Sequence, residues 1–145
     1  MLNLIFRWIL LAAGMATVAA ADPLPSGWSG ADVGVFTPAG AQAYTLATDR
    51  FDLSGAGADI WGTADQFHYV YRSWTGDGAW TVQVASLQNT NAWAKAGIMV
   101  REALAPGSRH ATMVLTPGNG VSFQRRKVTD GSSLNTNRPG SAPPC

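Results

Sequence analysis

The chain contains little cysteine and little charge. Its one cysteine, Cys145, has no partner for an internal disulfide, so the fold must depend on its core. Charged residues make up 13% of the sequence, and ten Lys and Arg stand against nine Asp and Glu. A nearly neutral chain lacks the long-range field that draws proteins to nucleic acid or anionic membranes, and we expect neither as a partner.

Groups for metal or acid–base chemistry are also scarce. Glu102 is the only glutamate, and His68 and His110 are the only histidines. Two histidines from separate segments lack the ligands for a zinc site. Carboxylates with nearby loop carbonyls can bind calcium, and the weak candidates are Asp59, Asp65 and Asp77. Apart from calcium, we expect no cofactor.

Residues 1–21 have the pattern of a secretory signal peptide. Arg7 precedes an apolar run over residues 8–18, and three alanines follow at 19–21. The run is shorter than the roughly 20 apolar residues that cross a bilayer. An uncleaved membrane anchor is the alternative, and the abrupt polar change at Asp22 disfavours it. We predict a secreted, extracellular protein, with the periplasm as the other location, and no membrane association after cleavage.

Short alternating segments follow the signal. Aromatic side chains recur at every second position in residues 65–71, which predicts a strand. Gly76 and Gly78 are typical of a tight turn, and the alternation resumes at Trp80, Val82 and Val84. These features predict a hairpin over about residues 65–87.

Later segments repeat this organisation. Residues 93–102 predict a strand, and residues 110–116 and 121–126 predict a second hairpin across the turn at 117–120. Weaker strand signals cover residues 32–36, 43–48 and 51–61. Short strands separated by turns favour a sandwich or a barrel. We therefore predict one all-β domain over residues 22–128, followed by a loop or disordered tail over residues 129–145.

Three motifs carry a family resemblance. They are GADIWGTADQFHYVY at residues 57–71, followed by GDG at 76–78; WAKAGIMVRE at 93–102; and GVSFQRR at 120–126. With WSGADVG at 28–34, they resemble the concanavalin A-like lectin/glucanase module of secreted bacterial proteins, a domain of unknown function also described as "regulation of enolase"-like. The resemblance implies a two-sheet jelly-roll sandwich. It also implies neighbouring catalytic, immunoglobulin-like or carbohydrate-handling modules in a larger secreted protein.

The resemblance further implies strands beyond the proline-rich residues 139–144. We therefore expect a C-terminally truncated jelly roll that is missing its last strands. Missing strands would leave edge groups and part of the core uncovered. Poor solubility or self-association of the isolated chain would follow.

Polar side chains along the strands are candidate ligands for a glycan. Sugars stack on exposed aromatic rings and exchange hydrogen bonds with polar groups on a rigid sheet. The candidate binding residues are Trp93, for stacking, with Lys95, Arg101, Gln124, His68 and Gln83. The sequence leaves open whether these sides form one groove, or are solvated faces with Trp93 in the core.

The remaining aromatic residues are interpreted by their position in the pattern. Four lie within alternating apolar segments and are predicted to be core: Phe67, Tyr69, Trp80 and Phe123. Trp61 and Trp74 lie near turns, where a structural and a binding role are both open.

Catalysis has weaker support than binding. Glycoside hydrolysis needs two suitably spaced carboxylates. Glu102 could pair with Asp65, but the spacing does not require it, and the E-x-D-x-x-E strand signature of laminarinase-like enzymes is absent. We expect a non-catalytic accessory module that binds a glycan or another extracellular polymer. The alternatives are a structural or assembly domain that contacts neighbouring modules and, less favoured, a glycoside hydrolase remnant.

Overall fold

The computed structural model describes residues 21–138, so the predicted signal peptide up to residue 20 lies outside them. The strands are β1 Ser29–Val33, β2 Ala41–Thr45, β3 Arg50–Ser54, β4 Ile60–Trp61, β5 Ala64–Asp65, β6 Phe67–Tyr71, β7 Ala96–Arg101, β8 His110–Thr116, β9 Gly120–Arg126 and β10 Leu134–Arg138. A 3-10 turn, Leu46–Thr48, is the only helical element of these residues. None of their helices is long and apolar enough to cross a membrane. The chain is therefore all-β over its described part.

The largest sheet has four antiparallel strands in the order β10-β9-β8-β7. The predicted second hairpin is confirmed as β8 and β9, with His110 opposite Arg126 and Thr116 opposite Gly120. The predicted strand over residues 93–102 is confirmed over Ala96–Arg101 as β7. Residues 129–145 were expected to contain no strand, and β10 is a correction to that expectation, because its five residues pair with β9.

Two of the three smaller strand pairs pack beside this sheet, and the third is β4 with β5. β1 pairs with β6, and β2 pairs with β3. The Tyr69 hydroxyl of β6 donates to the Met99 carbonyl of β7 at 2.7 Å. His68, on the opposite face of β6, contacts Gln42 of β2. Since successive strand residues point to opposite faces, the β1–β6 pair lies between β2–β3 and the four-stranded sheet.

The four-stranded sheet buries its more polar face. Thr112, Ser122 and Gln124 are at most 2% exposed. Their other-face neighbours Val100 and Met113 are 50% and 45% exposed. The period-two pattern therefore predicts correctly that these segments pair as strands. The side of the strands that faces inward is the polar one.

The predicted hairpin over residues 65–87 is wrong. Residues 72–95 contain no strand, and β6 takes its partner from β1 instead. Trp80 was predicted to be core but is 42% exposed, and its ring lies edge-on to Trp28, the residue before β1. This long-range aromatic contact replaces the local pairing that the turn signal predicted.

Candidate functional site

The six predicted binding residues do not form one groove. Arg101 and Gln124 belong to the inner face of the four-stranded sheet, where the Arg101 side chain is 2% exposed and Gln124 is 1% exposed. Gln83 is exposed within the irregular segment 72–95. His68 lies on β6 and faces the β2–β3 hairpin. These positions separate the set into interior, surface and inter-sheet groups.

His68 connects two strand pairs. Its Nδ1 lies 2.7 Å from Asp32 Oδ1, and its Nε2 lies 2.7 Å from Gln42 Oε1. The Gly40 amide donates to both Asp32 oxygens at 3.1 and 3.2 Å. The hydrogen bond from His68 lowers the pKa of Asp32 from its usual value. With its side chain 6% exposed, His68 has both ring nitrogens engaged in holding the sheets together.

Trp93 and Lys95 form a small surface cluster with Asp59. Trp93 is 38% exposed, and the Lys95 ammonium lies 5.7 Å from its ring centroid. Lys95 Nζ also pairs with Asp59 Oδ1, which neutralises it, and only 6% of its side chain is exposed. The predicted stacking residue is therefore accessible, while the cation beside it already has a carboxylate partner.

The calcium candidates are dispersed. Asp59 binds Lys95, Asp65 is fully buried between arginines, and Asp77 lies exposed in the segment 72–80. Within residues 21–138, no three His, Cys, Asp or Glu side chains come close enough together to hold a metal ion.

Asp65 is the centre of a buried charge cluster that the sequence did not predict. Arg126 binds it in a two-pronged pair, with Nη2–Oδ1 at 2.7 Å and Nη1–Oδ2 at 2.8 Å. Both side chains are 0% exposed. Arg101 Nη1 lies 3.3 Å from Asp65 Oδ2, and burial lowers the pKa of the Arg101 guanidinium while Asp65 opposes that shift.

Backbone carbonyls complete this cluster. Arg126 donates to the carbonyls of Pro106, Ser108, Gly62 and Gly131 at 2.9 to 3.2 Å. The guanidinium therefore joins the end of β9 to three loops. Because every donor nitrogen of Arg126 has a partner, its guanidinium is a structural centre and has no donor free for a ligand.

His110 borders the same cluster. Its side chain is fully buried, Nδ1 lies 3.0 Å from Thr112 Oγ1, and Nε2 has no hydrogen-bond partner among the described residues. Burial lowers the pKa of His110, and Asp65 partly opposes this. The native state therefore favours the neutral imidazole.

A pH dependence follows from that shift. Below about pH 6.5 the unfolded chain binds a proton at His110 that the native state resists, so stability should fall as the pH decreases from 7 to 5. We expect His110→Gln to give a flatter profile of urea midpoints over this interval. Glu102→Gln is the control that keeps the wild-type slope, because Arg109 lowers the pKa of Glu102 and its titration lies at more acid pH. Equal slopes in His110→Gln and wild type would contradict the assignment.

The two carboxylates considered for hydrolysis are both bound by arginines. Glu102 accepts from Arg109 Nε at 2.9 Å and from Arg109 Nη2 at 2.7 Å. Asp65 has no exposed surface from which to reach a substrate. Their surroundings therefore provide little basis for paired acid–base chemistry.

Among the surface features of the described residues, the exposed aromatic rings have the chemistry most suited to binding a ligand. Trp74 and Trp80 are 41% and 42% exposed, and their ring centroids lie 6.3 Å apart at 83°. Trp80 contacts Trp28 at 6.1 Å, and Trp28 contacts Phe51 of β3 at 5.4 Å. We call Trp28, Phe51, Trp74 and Trp80 the aromatic platform.

Sheet residues anchor the aromatic platform at one end. Phe51 packs against Tyr44 at 4.8 Å across the β2–β3 pair, and Tyr44 is 5% exposed. From this buried end the rings lead outward to Trp80 and Trp74. The exposed rings are therefore held by a series of ring contacts that begins on a paired sheet.

Arg72 stands beside the outer rings. Its guanidinium carbon lies 5.6 Å from the Trp80 ring centroid. Tryptophan provides a flat apolar surface with a polar N–H, and arginine provides several donors in a fork. Together they can bind a ligand that has both an apolar face and oxygen acceptors.

Sequence reasoning found these residues only in part. It left Trp74 open, placed Trp80 in the core and did not select Arg72. A usable signal was the density of aromatic residues around the glycine-rich turn at 76–78. No family model matches the chain, and searches of curated proteins and of solved structures found no match.

Proposed function

We propose that this protein is a non-catalytic extracellular module that binds glycan through the aromatic platform, on a concanavalin A-like jelly-roll framework. The observation that carries the proposal is the pair of exposed indoles, Trp74 and Trp80, held edge-to-face beside Arg72. The C–H face of a sugar ring stacks on such surfaces, and its hydroxyls accept hydrogen bonds.

The antiparallel all-β fold is consistent with a sandwich of the proposed kind. The family resemblance supports the jelly roll and an accessory role, and it supports export together with the signal-peptide pattern. The binding residues differ from those that the polar sides of the strands suggested. Trp93 remains a second stacking candidate, with Lys95 engaged by Asp59.

Replacing the outer indole tests the proposal. We expect Trp74→Ala to weaken glycan binding about tenfold, equivalent to about 1.4 kcal/mol, because the stacking surface is removed. Binding would be screened on a glycan array and quantified by affinity electrophoresis in polysaccharide gels.

Trp61→Ala is the matched control. Trp61 is 40% exposed, as Trp74 is, but it lies on β4 outside the aromatic platform. Equal weakening by both variants, or retention of full affinity by Trp74→Ala with a wild-type melting temperature, would refute the assigned surface. Absence of glycan binding by the wild type would refute the function.

A second candidate is an assembly domain that contacts a neighbouring module. The outer face of the four-stranded sheet favours it, because Val100, Met113 and Leu134 are 45% to 50% exposed there. Contiguous exposed apolar surface often marks a protein partner. This candidate predicts no glycan binding and a higher melting temperature when a flanking module is present.

A further inference from the structure

We propose that the aromatic platform selects an acidic saccharide, with Arg72 binding the sugar's carboxylate or sulfate group. This inference rests on the proposed glycan-binding function and names its ligand class. It is carried by the Arg72 guanidinium, which lies beside the exposed indoles and has no ion-pair partner among the described residues.

Arg72 is a cation without a carboxylate partner among residues 21–138. Five other cations are paired with carboxylates: Arg50 with Asp52, Lys95 with Asp59, Arg101 and Arg126 with Asp65, and Arg109 with Glu102. Arg125 and Lys127 also have no carboxylate partner among the described residues, but they lie outside the aromatic platform, and Arg125 donates to Thr136 Oγ1. Within residues 21–138 the Arg72 side chain makes a cation–π contact with the Trp80 ring and has no hydrogen-bond or ion-pair partner. Its guanidinium donors therefore remain available to a bound molecule.

The two tryptophan–cation clusters differ in this respect. At Trp93 the ammonium of Lys95 is neutralised by Asp59 and its side chain is 6% exposed. At Trp80 the guanidinium of Arg72 is exposed and unpaired. At the first cluster an acidic ligand would have to displace Asp59 from Lys95. At the second it would meet Arg72, which has no carboxylate partner to displace.

The guanidinium of Arg72 suits an acidic group that presents two adjacent oxygens. Guanidinium presents N–H donors in a fork that matches carboxylate or sulfate oxygens in a two-pronged contact. The Trp80 ring supports the guanidinium from one side by a cation–π contact. A sugar stacked on the exposed indoles would then place an acidic substituent within reach of Arg72.

Asp77 is the acidic residue nearest to Arg72 along the chain. It is exposed and forms no ion pair with Arg72. Its charge opposes that of an acidic ligand approaching the segment 72–80. Removing it should therefore strengthen binding, whereas removing Arg72 should weaken it.

The test compares polygalacturonate with its neutral methyl ester, and adds chondroitin sulfate as the sulfated arm. Wild-type protein should bind polygalacturonate about fivefold more tightly than the ester, the upper end for one exposed ion pair. High salt should reduce that preference. Arg72→Gln should remove it, and Asp77→Asn should increase it.

Lys127→Gln is the control for overall charge, because Lys127 is an exposed cation outside the aromatic platform. It should keep the wild-type preference. Equal binding of acid and ester by the wild type, an unchanged preference in Arg72→Gln, or tighter binding of a single-stranded oligonucleotide than of either acidic polymer would overturn the proposal.

Failure of this inference is distinguishable from failure of the function. If Trp74→Ala loses binding while Arg72→Gln keeps the wild-type preference, the glycan-binding surface stands and its acidic specificity does not. If the wild type binds none of the polymers, both are overturned. A preference for chondroitin sulfate over unsulfated chondroitin that is lost in Arg72→Gln would assign Arg72 to sulfate.

Discussion

Replacing Asp65 with alanine is expected to destabilise the native state by about 3–5 kcal/mol. The change leaves the buried guanidinium of Arg126 without its carboxylate, and that of Arg101 without its ion pair. The free energy of unfolding of an ordinary domain is only about 5–15 kcal/mol. A loss of this size would shift the urea midpoint strongly or leave part of the chain unfolded at equilibrium.

Glu102→Ala is the matched control for this prediction. The Glu102–Arg109 pair is also two-pronged, through Arg109 Nε and Nη2, but its side chains are 50% and 55% exposed. An exposed ion pair contributes little to stability because water screens it, so the control should lie close to wild type. Similar losses in Asp65→Ala and Glu102→Ala would show that burial does not govern the first pair.

Two further variants keep the prediction testable if Asp65→Ala does not fold. Arg101→Met leaves the Asp65–Arg126 pair intact. It removes one 3.3 Å contact to Asp65 and the hydrogen bonds of Arg101 to the carbonyls of Ala103 and Ala105, so we expect a smaller loss than in Asp65→Ala. Asp65→Leu combined with Arg126→Met replaces both buried charges by apolar groups and should recover part of the stability lost by Asp65→Ala. A double variant less stable than Asp65→Ala would contradict this account.

This cluster illustrates what the sequence could not indicate. Asp65 lies 61 residues from Arg126 and 36 residues from Arg101. Such contacts have no spacing signature, because they depend on how separate strands come together. By contrast, the alternation within residues 110–126 is a local pattern that can be read from a few neighbouring residues. It predicted the bounds of β8 and, to within one residue, those of β9.

The same distinction explains the errors at the candidate site. Period-two alternation separates the two sides of a strand without saying which side is buried. Gln124 and Arg101 were assigned to a binding face, yet their side of the sheet faces Tyr69 and Phe67 of β6. Trp80 was assigned to the core because alternation resumes there, and its contact with Trp28 depends on a segment some 50 residues earlier.

Gly97→Ala is the second substitution with a large expected effect, about 3 kcal/mol, at the upper end for overpacking. Gly97 lies inside β7, opposite Val114 of β8. A Cβ added at Gly97 would overlap the Met113 carbonyl oxygen and lie 2.8 Å from the Val114 Cα. Both obstructing atoms belong to the backbone, so relief requires β7 to move away from β8.

Gly30→Ala separates this steric cause from the general effect of a strand glycine. A Cβ at Gly30 of β1 would meet only the amide end of the Gln42 side chain, at 2.6 to 2.7 Å. That side chain can rotate away at the expense of its hydrogen bond to His68, a loss of about 1 kcal/mol. Urea unfolding of both variants should therefore rank Gly97→Ala well below Gly30→Ala in stability. If Gly30→Ala were the less stable variant, β7 and β8 would separate at less cost in free energy than the Gln42–His68 contact between β2 and β6 breaks. The close approach of β8 to Gly97 would then not be what fixes β7 in the sheet.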